Sequence, residues 1–501
     1  MVELQSPVQA AQWLREHVTG QLRTDSRQVQ PGDGFIAWPG AATDGRHYIA
    51  RAFEQGASVC LMQREGGEPW QHLQPADRLA ALPQLRQLTG LMAAAYYEEP
   101  TQELRVLAVT GTNGKTSVAC WLAQVLAHPA MGQRCGVVGT LGVGLWPDLM
   151  ATGMTTPDPV LLQRSFRQML QAGARSCAIE ASSIGIAEHR LDGTRIRTAV
   201  FTNFTQDHLD YHGSMQAYWA AKRALFAWEG LESAVINIDD PQGAALAVEL
   251  ADSGLDLWTC SRRQPARLRA WPLPSGEGLS FEVREGDALC RIDTTLTGDY
   301  NIDNLLGVIG TLRAQGLPLT QIAQACADLQ AVPGRMQRVL PVARGTALPV
   351  AVVDYAHTPD ALTQALQALQ PLARERGGRL WCVFGCGGDR DPHKRPLMAA
   401  AAEALADRLV LTSDNPRSES PAAILAQMCA GLQQPQAATV VEDRAAAITL
   451  AVQQAAAADV LLVAGKGHES TQEVAGVRHP FSDVQQLGQA LSARASLEVH
   501  A

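Results

Sequence analysis

The feature that most constrains the fold is an apolar run that ends in a glycine turn followed by Lys-Thr-Ser. The run Val106–Thr110 predicts a buried strand, and a loop and a helix follow it. Glycines in such a loop let backbone N–H groups close on phosphate oxygens. A lysine then neutralises the β- and γ-phosphates, and the next hydroxyl binds Mg²⁺. The predicted phosphate loop comprises Gly111, Thr112, Asn113, Gly114, Lys115, Thr116 and Ser117.

One position departs from the strict Walker spacing, which requires glycine where this chain has Val109. The loop is therefore a shortened variant. A simple turn with a solvated lysine is the alternative interpretation, but the strand before the loop and the Thr-Ser after it favour nucleotide-phosphate binding.

Length and composition limit the remaining possibilities. A chain of 501 residues is too long for one core, and we expect three domains. A net charge of −9 argues against nucleic acid or an anionic membrane as the main partner. The first residues lack a basic segment followed by an apolar one, and no 18-residue apolar span free of charge occurs, so we expect a cytoplasmic protein without membrane contact. The ten scattered cysteines indicate reduced core thiols, and nothing demands an oligomer, so we expect a monomer.

Apolar runs that end in polar residues alternate with helix-like segments along most of the chain. This alternation predicts α/β domains with parallel, doubly wound sheets, whose ligands lie at the carboxyl ends of the strands. We predict a small α/β domain in residues 1–87, a central domain in 88–336 that holds the phosphate loop, and a Rossmann-like domain in 337–501.

Acidic residues and histidines follow two strands of the central domain. Glu180 ends one strand and is a candidate second Mg²⁺ ligand beside Thr116, because Mg²⁺ prefers hard oxygen donors. The segment from Asn203 to His212 contains two aspartates and two histidines, which favours a functional role for His208. The spacing leaves open whether His208 binds a metal or a phosphate.

Several motifs in a fixed order resemble those of the Mur ligases, the ATP-dependent amide-forming enzymes of peptidoglycan precursor synthesis. The resemblance covers essentially the whole chain. It rests on the phosphate loop, Thr155-Thr156-Pro157, Glu180-Ala-Ser182-Ser183, the block 203–212, Asn237-x-Asp239-Asp240, Gly298-x-Tyr300-Asn301-x-x-Asn304, Gly334-Arg335-Met336 and Asp354-Tyr-Ala-His357-Thr-Pro359. Two further motifs, Asp414-Asn415-Pro416-Arg417 and Gly465-Lys-Gly-His-Glu469, are similar to those of the members that add meso-diaminopimelate to UDP-N-acetylmuramoyl-L-alanyl-D-glutamate.

The resemblance implies a fold, a reaction and its catalytic residues. It implies three α/β domains: an N-terminal domain for the uridine substrate, a central ATPase-like domain and a C-terminal domain for the amino acid. ATP would phosphorylate the D-glutamate γ-carboxylate, and the amine of the incoming amino acid would attack the acyl phosphate. Thr116, Glu180, His208 and Lys222 match metal-shell positions, and Lys115, His208 and Lys222 match catalytic ones. Lys222 matches a lysine that is carbamylated, whereas the sequence alone would suggest a solvated helix lysine.

The resemblance also implies binding residues. For ATP, beyond the phosphate loop, they are Asn237, Asp240, Asn301 and Arg335. For the uridine substrate they are Thr24, Ser26, Ala41, Ala42, Thr43, Thr155, Thr156, Ser182, Glu188 and Arg190. Two of these depart from the family pattern, since Ala41-Ala42 replaces polar residues and Glu188 replaces a glutamine. We therefore expect backbone contacts at the first and an added negative charge at the second.

Specificity for the amino acid is expected in the third domain. Diaminopimelate differs from lysine by a second carboxylate, for which a guanidinium offers a planar two-donor fork, and Arg417 is the candidate. The residues that match the family's amino-acid contacts are Arg390, Asp414, Asn415, Pro416, Arg417, Gly465 and Glu469.

Four alternatives remain at this point. A lysine-adding ligase should lack the arginine at 417, and a folylpolyglutamate synthase should lack the first domain and the Asp-Asn-Pro-Arg motif. A nucleotide-dependent switch or motor leaves the clusters of the third domain unexplained. A UDP-sugar binding module leaves Lys115 and Thr116 without a role.

Overall fold

The structure is a computed structural model that describes residues 1–40, 43–73, 75–274, 278–340 and 348–499. It contains three main β-sheets with helices packed on them. Within the described ranges, no helix is long and apolar enough to cross a membrane.

The first sheet has five parallel strands in the order β1-β5-β4-β3-β2. Its strands are β1 (Val2–Glu3), β2 (Leu22–Arg23), β3 (Gly34–Ala37), β4 (Val59–Gln63) and β5 (Leu79–Leu82). Its helices are α1 (Pro7–His17), α2 (Ile49–Glu54) and α3 (Leu85–Tyr96). Buried side chains line both faces of this sheet. The successive residues Leu61 and Met62 of β4 show this, since they belong to different apolar clusters.

The central sheet has eleven strands in the order β16-β15-β14-β13-β12-β11-β6-β10-β7-β8-β9. Its strands are β6 (Arg105–Thr110), β7 (Cys135–Gly139), β8 (Gly142–Leu145), β9 (Asp148–Met150), β10 (Ser176–Glu180), β11 (Ile196–Phe201), β12 (Ser233–Asn237), β13 (Asp256–Ser261), β14 (Leu268–Leu273), β15 (Leu279–Glu285) and β16 (Ala288–Thr294). Its helices are α4 (Lys115–Ala127), α5 (Pro159–Gln171), α6 (Ser183–Ala187), α7 (Leu209–His212), α8 (Met215–Arg223), α9 (Pro241–Glu249), α10 (Tyr300–Ala314) and α11 (Leu319–Ala327).

The middle of this sheet is parallel and both of its flanks are antiparallel. Strands β14 to β7 pair in parallel, whereas β15 and β16 on one side and β8 and β9 on the other pair antiparallel. The predicted parallel sheet is therefore only the inner part, since hairpins extend it at each edge. Strand β6 lies in the middle and buries both faces, with Leu107 and Val109 in one apolar cluster and Val106 and Ala108 in the other.

The third sheet has six strands in the order β17-β18-β22-β19-β20-β21, of which only β17 is antiparallel to its neighbour. Its strands are β17 (Gln337–Val339), β18 (Val350–Asp354), β19 (Leu380–Phe384), β20 (Arg408–Leu411), β21 (Thr439–Val440) and β22 (Val460–Ala464), and a separate hairpin joins β23 (Thr471–Val474) and β24 (Val477–Pro480). Its helices are α12 (Pro359–Glu375), α13 (Lys394–Leu405), α14 (Pro421–Cys429), α15 (Arg444–Gln454) and α16 (Asp483–Val499).

The strands of each main sheet fall inside one predicted domain, although α3 runs across position 87. The domain boundaries stay predictions. All ten cysteines are free thiols, and eight of them are buried.

Candidate active site

The phosphate loop links β6 to the first turn of α4 in the middle of the central sheet. Gly111 has φ +145° and Gly114 has φ +85°, a region that side chains with a Cβ rarely adopt. A Cβ on Gly111 would lie 1.9 Å from Thr202 Oγ1, and one on Gly114 would lie 2.2 Å from Asn304 Oδ1. The loop therefore needs glycine at both positions, both for its backbone turn and for its close packing.

Two lysine ammonium groups meet at one backbone oxygen of this loop. Lys115 Nζ donates to Gly111 O at 2.9 Å and to Thr112 O at 2.7 Å, and Lys222 Nζ donates to Gly111 O at 2.6 Å. Lys222 is 1% exposed, and its Nζ lies 4.4 Å from the centre of the Tyr218 ring. Burial, and then the charge of Lys115, lower the pKa of Lys222 well below its ordinary value. Burial also lowers the pKa of Lys115.

A line of hydrogen bonds runs from the phosphate loop to a predicted substrate residue. Thr116 Oγ1 donates to Glu180 Oε2 at 3.0 Å, Thr140 Oγ1 donates to the same oxygen at 3.2 Å, and Thr140 and Thr155 share a hydrogen bond of 3.1 Å. At the other end, Arg335 Nη2 donates to Thr116 Oγ1 at 3.0 Å. The line exists because Glu180 ends β10, which pairs with β6 directly before the phosphate loop.

The oxygen donors at this point fit Mg²⁺. Thr116 and Glu180 provide a hydroxyl and a carboxylate side by side, and Glu180 is 2% exposed. Mg²⁺ typically takes one or two protein carboxylates and completes its shell with phosphate oxygens and water. Among the described residues, no group of three or more His, Cys, Asp or Glu is arranged to hold a metal ion.

Three further predicted substrate residues gather around the end of β10. Thr156 Oγ1 donates to Glu180 O at 2.7 Å and lies 2.9 Å from Ser182 Oγ. Arg190 Nη1 donates to Thr156 O at 2.9 Å. The structure thus brings Thr155, Thr156, Ser182 and Arg190 together beside the predicted metal ligands.

The predicted uridine residues of the first domain lie in its loops. Ser26 is buried at the start of a 3₁₀ turn, and Thr43 Oγ1 lies 3.3 Å from Tyr48 OH. Thr24 hydrogen-bonds the carboxylate of Asp158, the cap of α5, and so touches the central domain. The predicted residues Ala41 and Ala42 lie outside the described residues.

The carboxylate of Glu188, which we expect to add a negative charge, has two side-chain partners in the structure. Its carboxylate forms an ion pair with Arg86 and accepts a hydrogen bond from Tyr211 OH. Burial would raise the pKa of Glu188, but these two hydrogen bonds lower it below its ordinary value. The negative charge is therefore compensated locally by Arg86 of α3, which was not among the residues predicted from sequence.

His208 lies close to the two lysines rather than in the Thr116–Glu180 pair. It has φ +52°, its Nε2 is 3.5 Å from Asp207 Oδ2, and its ring is 5.9 Å from that of Tyr218. Burial lowers the pKa of His208, and Lys115 and Lys222 lower it further while Asp207 acts in the opposite direction. A neutral imidazole is the form that binds a metal, so the environment is compatible with the predicted role.

The predicted adenine residues use their side chains for internal contacts. Asn237 Nδ2 donates to Thr202 O at 2.9 Å, and Asn301 Nδ2 donates to Thr297 O at 2.8 Å. Asp240 accepts from Phe204 N at 2.7 Å and caps α9. These three residues therefore shape the loops beside the nucleotide site, and any contact with the base competes with those bonds.

Side chains of mixed charge gather at the carboxyl ends of the strands of the third sheet, and we call this predicted amino-acid site the pocket. Asn415 Nδ2 donates to Glu469 Oε2 at 2.7 Å, and Lys466 Nζ lies 2.9 Å from the same carboxylate oxygen and 3.9 Å from Asp414 Oδ1. Arg417 has φ +53°, and its Nη1 donates to Gly388 O at 2.6 Å. The remaining members of the predicted set are Arg390, which is exposed, Pro416, which is buried, and Gly465, which adjoins Asp414.

Two contacts connect the C-terminal domain to the phosphate loop and its neighbour Arg335. Asp360 in the first turn of α12 accepts from Asn113 Nδ2 at 3.1 Å. The guanidinium of Arg335 lies 4.5 Å from the centre of the Tyr355 ring, which in turn lies 5.2 Å from the ring of His468. The central and C-terminal domains thus touch directly at the phosphate loop.

Several residues that the structure brings to the site were not among the predicted site residues, and they include Thr140, Asn304, Tyr355, Asp360 and Lys466. Thr140 follows a strand, and Tyr355, Asp360 and Lys466 lie within or beside motifs that were recognised, so position after a strand could have indicated them. Asn304 lies inside α10 and ends the motif Gly298-x-Tyr300-Asn301-x-x-Asn304, but only its close approach to Gly114 shows that it contacts the loop.

His468 gives a prediction about stability and pH. Burial, and then Arg335, lower its pKa to about 4, and within the described residues its Nδ1 has no hydrogen-bond partner. Between pH 6.5 and pH 4, His468 therefore binds a proton in the unfolded chain but not in the folded one. Its contribution to the free energy of unfolding is complete above pH 6.5 and falls by at most about 3 kcal/mol as the pH drops to 4. We expect His468→Gln to lessen the fall in melting temperature between pH 7.5 and pH 4.5.

The exposed residue His479 provides the control for this measurement. His479→Gln should keep the melting-temperature profile of the wild type across the same pH range. A His468→Gln profile parallel to that of the wild type would contradict the assignment.

Three family models match successive parts of the chain. They are the Mur ligase family catalytic domain over residues 19–97, the Mur ligase middle domain over 109–312 and the Mur ligase glutamate ligase domain over 334–467. Together with the fold and with relatives that match over nearly the whole length, they show that this chain belongs to the Mur ligase family.

The relatives place the chain within one branch of that family. It is 57% identical over 493 residues to the UDP-N-acetylmuramoyl-L-alanyl-D-glutamate–2,6-diaminopimelate ligase of Acidovorax sp., covering 97% of each chain. It is 46% identical over 500 residues to the enzyme of the same name from Ralstonia nicotianae, covering 96% of this chain and 95% of the other.

Solved structures agree with this placement. A structure of a UDP-N-acetylmuramoyl-L-alanyl-D-glutamate–2,6-diaminopimelate ligase matches with a TM-score of 0.63 and 35% identity, covering 95% of each chain. The MurF ligase of Thermotoga maritima, in complex with ADP, matches with a TM-score of 0.67 and 16% identity, covering 96% of this chain and 99% of the other. The second match supports the fold alone.

Proposed function

We propose that this chain joins meso-2,6-diaminopimelate to UDP-N-acetylmuramoyl-L-alanyl-D-glutamate with hydrolysis of ATP to ADP and phosphate. The observation that carries the proposal is the line of hydrogen bonds from Arg335 through Thr116, Glu180 and Thr140 to Thr155. It joins the phosphate loop to Thr155, which lies with the predicted substrate residues Thr156, Ser182 and Arg190. A carboxylate held by these residues would lie beside the γ-phosphate. The names of the relatives support the choice of substrates.

The reaction needs activation, because a free carboxylate is a poor electrophile. An oxygen of the D-glutamate γ-carboxylate attacks the γ-phosphorus of ATP, and ADP leaves. The amine of diaminopimelate then attacks the carbonyl carbon of the acyl phosphate, phosphate leaves, and the amine loses a proton. The task of the protein is to position these groups and to balance the charge on the transferred phosphoryl group.

Residues of the central domain would supply that charge. Lys115 and the N–H groups at the start of α4 would face the phosphates, since this helix begins at the loop. Thr116 and Glu180 would hold Mg²⁺, which when bound would withdraw electron density from the phosphoryl oxygens. We also propose that the protein acts in the cytoplasm, where ATP is available.

Residues of the C-terminal domain would hold the amino acid. Asp414 and Glu469 offer carboxylates to an ammonium group, and Arg417 offers a guanidinium to a carboxylate. Diaminopimelate carries both groups at the end remote from the attacking amine, whereas lysine carries only the ammonium. The lysine-adding alternative therefore leaves Arg417 without a role.

Carbamylation of Lys222 is a second part of the proposal. A neutral amine attacks CO₂ and releases a proton, and the lowered pKa of Lys222 favours that neutral form. The product is an anion, which would remove the repulsion between Lys222 and Lys115 and could meet a second Mg²⁺. The contact of 2.6 Å to Gly111 O places this group at the phosphate loop.

Replacing Lys222 with alanine is expected to lower kcat by about 10²-fold, because one preorganised group at the phosphates is lost. Wild-type enzyme should also lose activity in CO₂-depleted buffer and regain it with bicarbonate, whereas the Lys222→Ala variant should not respond. The neighbour Arg223, which pairs with Glu249 on the surface, provides the control variant Arg223→Ala with unchanged kcat. Equal bicarbonate responses in wild type and Lys222→Ala would refute carbamylation.

The proposed function is tested by phosphate release from ATP with the uridine dipeptide present and with meso-diaminopimelate, L-lysine or no amino acid. We expect turnover only with diaminopimelate, together with a product of the mass of the tripeptide. Turnover with lysine would keep the ligase and reject the specificity, and turnover without any amino acid would favour a nucleotide-dependent switch.

A further inference from the structure

Lys466 stands out by its burial in the amino-acid pocket. It follows β22 between Gly465 and Gly467, and its side chain is 0% exposed. The chain has only four lysines among its 41 lysines and arginines. Surface cations are therefore almost all arginine, and two of the other three lysines, Lys115 and Lys222, lie at the phosphate loop.

The ammonium group of Lys466 joins the two motifs that form the pocket. Its Nζ donates to Asn415 Oδ1 at 2.9 Å and to Glu469 Oε2 at 2.9 Å, and Asp414 Oδ1 lies 3.9 Å away. Asn415 Nδ2 donates to the same Glu469 oxygen at 2.7 Å, which closes a triangle of three side chains. Asn415 Oδ1 also accepts from Glu473 N at 3.0 Å, so the triangle includes the hairpin β23–β24.

The same ammonium group sets the charge of the pocket. Asp414 and Glu469 carry two formal negative charges, and Lys466 reduces the net charge of the three groups to −1. A second buried cation, Arg444, holds the backbone beneath them by donating to Ser413 O at 3.2 Å and to Ala464 O at 2.8 Å, but Asp483 neutralises it with two contacts of 2.7 Å. Lys466 thus partly neutralises the two pocket carboxylates directly, through its hydrogen bond to Glu469 and its proximity to Asp414.

We propose that Lys466 is a positioning residue for the amino-acid substrate, which holds Asp414, Asn415 and Glu469 in one arrangement and leaves the net negative charge that one substrate ammonium group neutralises. This inference rests on the proposed function. Because Lys466 is fully buried, it acts through these three side chains and does not touch the substrate. A compact ammonium group suits the position, since it donates in three directions without the planar fork of a guanidinium.

The test is Lys466→Met, which keeps the length of the side chain and removes its charge. We expect the KM for diaminopimelate to rise at least tenfold, while the KM for ATP, the KM for the uridine dipeptide and kcat at saturating diaminopimelate stay within twofold of wild type. Arg313→Met is the control, because it removes a partly buried ion pair with Glu285 in the central domain. It should leave all three KM values unchanged.

A second variant, Lys466→Ala, separates the effect of charge from that of packing. It also tests the inference if Lys466→Met does not fold. In Lys466→Ala, added ethylammonium chloride should lower the KM for diaminopimelate, because the cation can occupy the space of the deleted side chain. Sodium chloride and ethanol at the same concentration should have no such effect. In wild type, ethylammonium should only compete with the substrate.

The outcomes distinguish this inference from the proposed function. A wild-type enzyme that shows no diaminopimelate-dependent phosphate release refutes the proposed function, and the inference fails with it. An active wild type together with an unchanged KM for diaminopimelate in Lys466→Met overturns the inference alone. It is also overturned by an equal rise of all three KM values, which indicates a merely structural role, or by the absence of ethylammonium rescue.

Discussion

Replacing Lys115 with alanine is expected to reduce ligation by about 10³-fold or more, while the chain stays folded. The ammonium group of Lys115 lies 2.9 Å from Gly111 O and 2.7 Å from Thr112 O, at the start of α4, where the phosphates of ATP would bind. Loss of one preorganised donor at a developing charge costs about 10²–10³ in rate, and here a full positive charge is lost as well. The measurement is single-turnover formation of the acyl phosphate, trapped by borohydride reduction.

The control for this variant lies on β6, the strand that precedes the phosphate loop. Arg105 begins β6 at the end opposite to the phosphate loop and donates to Gln315 Oε1. Arg105→Ala should ligate at the wild-type rate. Lys115→Ala should retain the circular dichroism spectrum of the wild type and its affinity for the uridine dipeptide. Ligation by Lys115→Ala at the wild-type rate would show that the loop does not act on phosphate.

Arg417→Ala is expected to have the second largest effect, confined to the amino-acid substrate. A carboxylate bound in the pocket would lose its paired donors, which costs on the order of 2–5 kcal/mol, or roughly a 30-fold or greater rise in KM for diaminopimelate. Arg417→Lys should not restore the affinity, because an ammonium group lacks the planar two-donor geometry. Steady-state kinetics with diaminopimelate varied at saturating ATP and uridine dipeptide measure the effect.

An exposed arginine of the same domain provides the comparison. Arg408 begins β20, the strand that leads towards Arg417, and Arg408→Ala should leave the KM for diaminopimelate unchanged. Arg417→Ala should also narrow the preference for diaminopimelate over lysine, since the lost contact concerns a group that lysine lacks. Unchanged kinetics for diaminopimelate in Arg417→Ala would exclude the proposed role.

Strands of the parallel core could be predicted from sequence because both of their faces are buried. The strands Leu380–Phe384, Arg408–Leu411 and Val460–Ala464 are examples, since each is a short, mainly apolar run that ends in glycine or polar residues. The antiparallel strands β14, β15 and β16 were not expected. Strands β15 and β16 interleave buried apolar residues with exposed charged and polar ones, so neither is the continuous apolar run that marks a strand buried on both faces.

The candidate site was predictable where chemistry requires a residue type at a fixed place in the chain. The phosphate loop and the pair Thr116–Glu180 are of this kind, because adjacent parallel strands bring their ends together. Contacts between distant elements could not be predicted. The sequence does not show that Arg86 compensates Glu188, nor that Asp360 reaches Asn113, because these distances depend on how the domains pack.

The meeting of Lys115 and Lys222 at Gly111 O has a thermodynamic consequence for the protein as a whole. Before Lys222 is carbamylated, each of these two ammonium groups disfavours the protonated form of the other, and a polyphosphate beside them offsets this cost only in the folded chain. Nucleotide at a hundred times its dissociation constant adds about 2.7 kcal/mol to the free energy of unfolding. We therefore expect bound nucleotide to lengthen the time for which the folded chain resists proteolysis, in addition to its role in turnover.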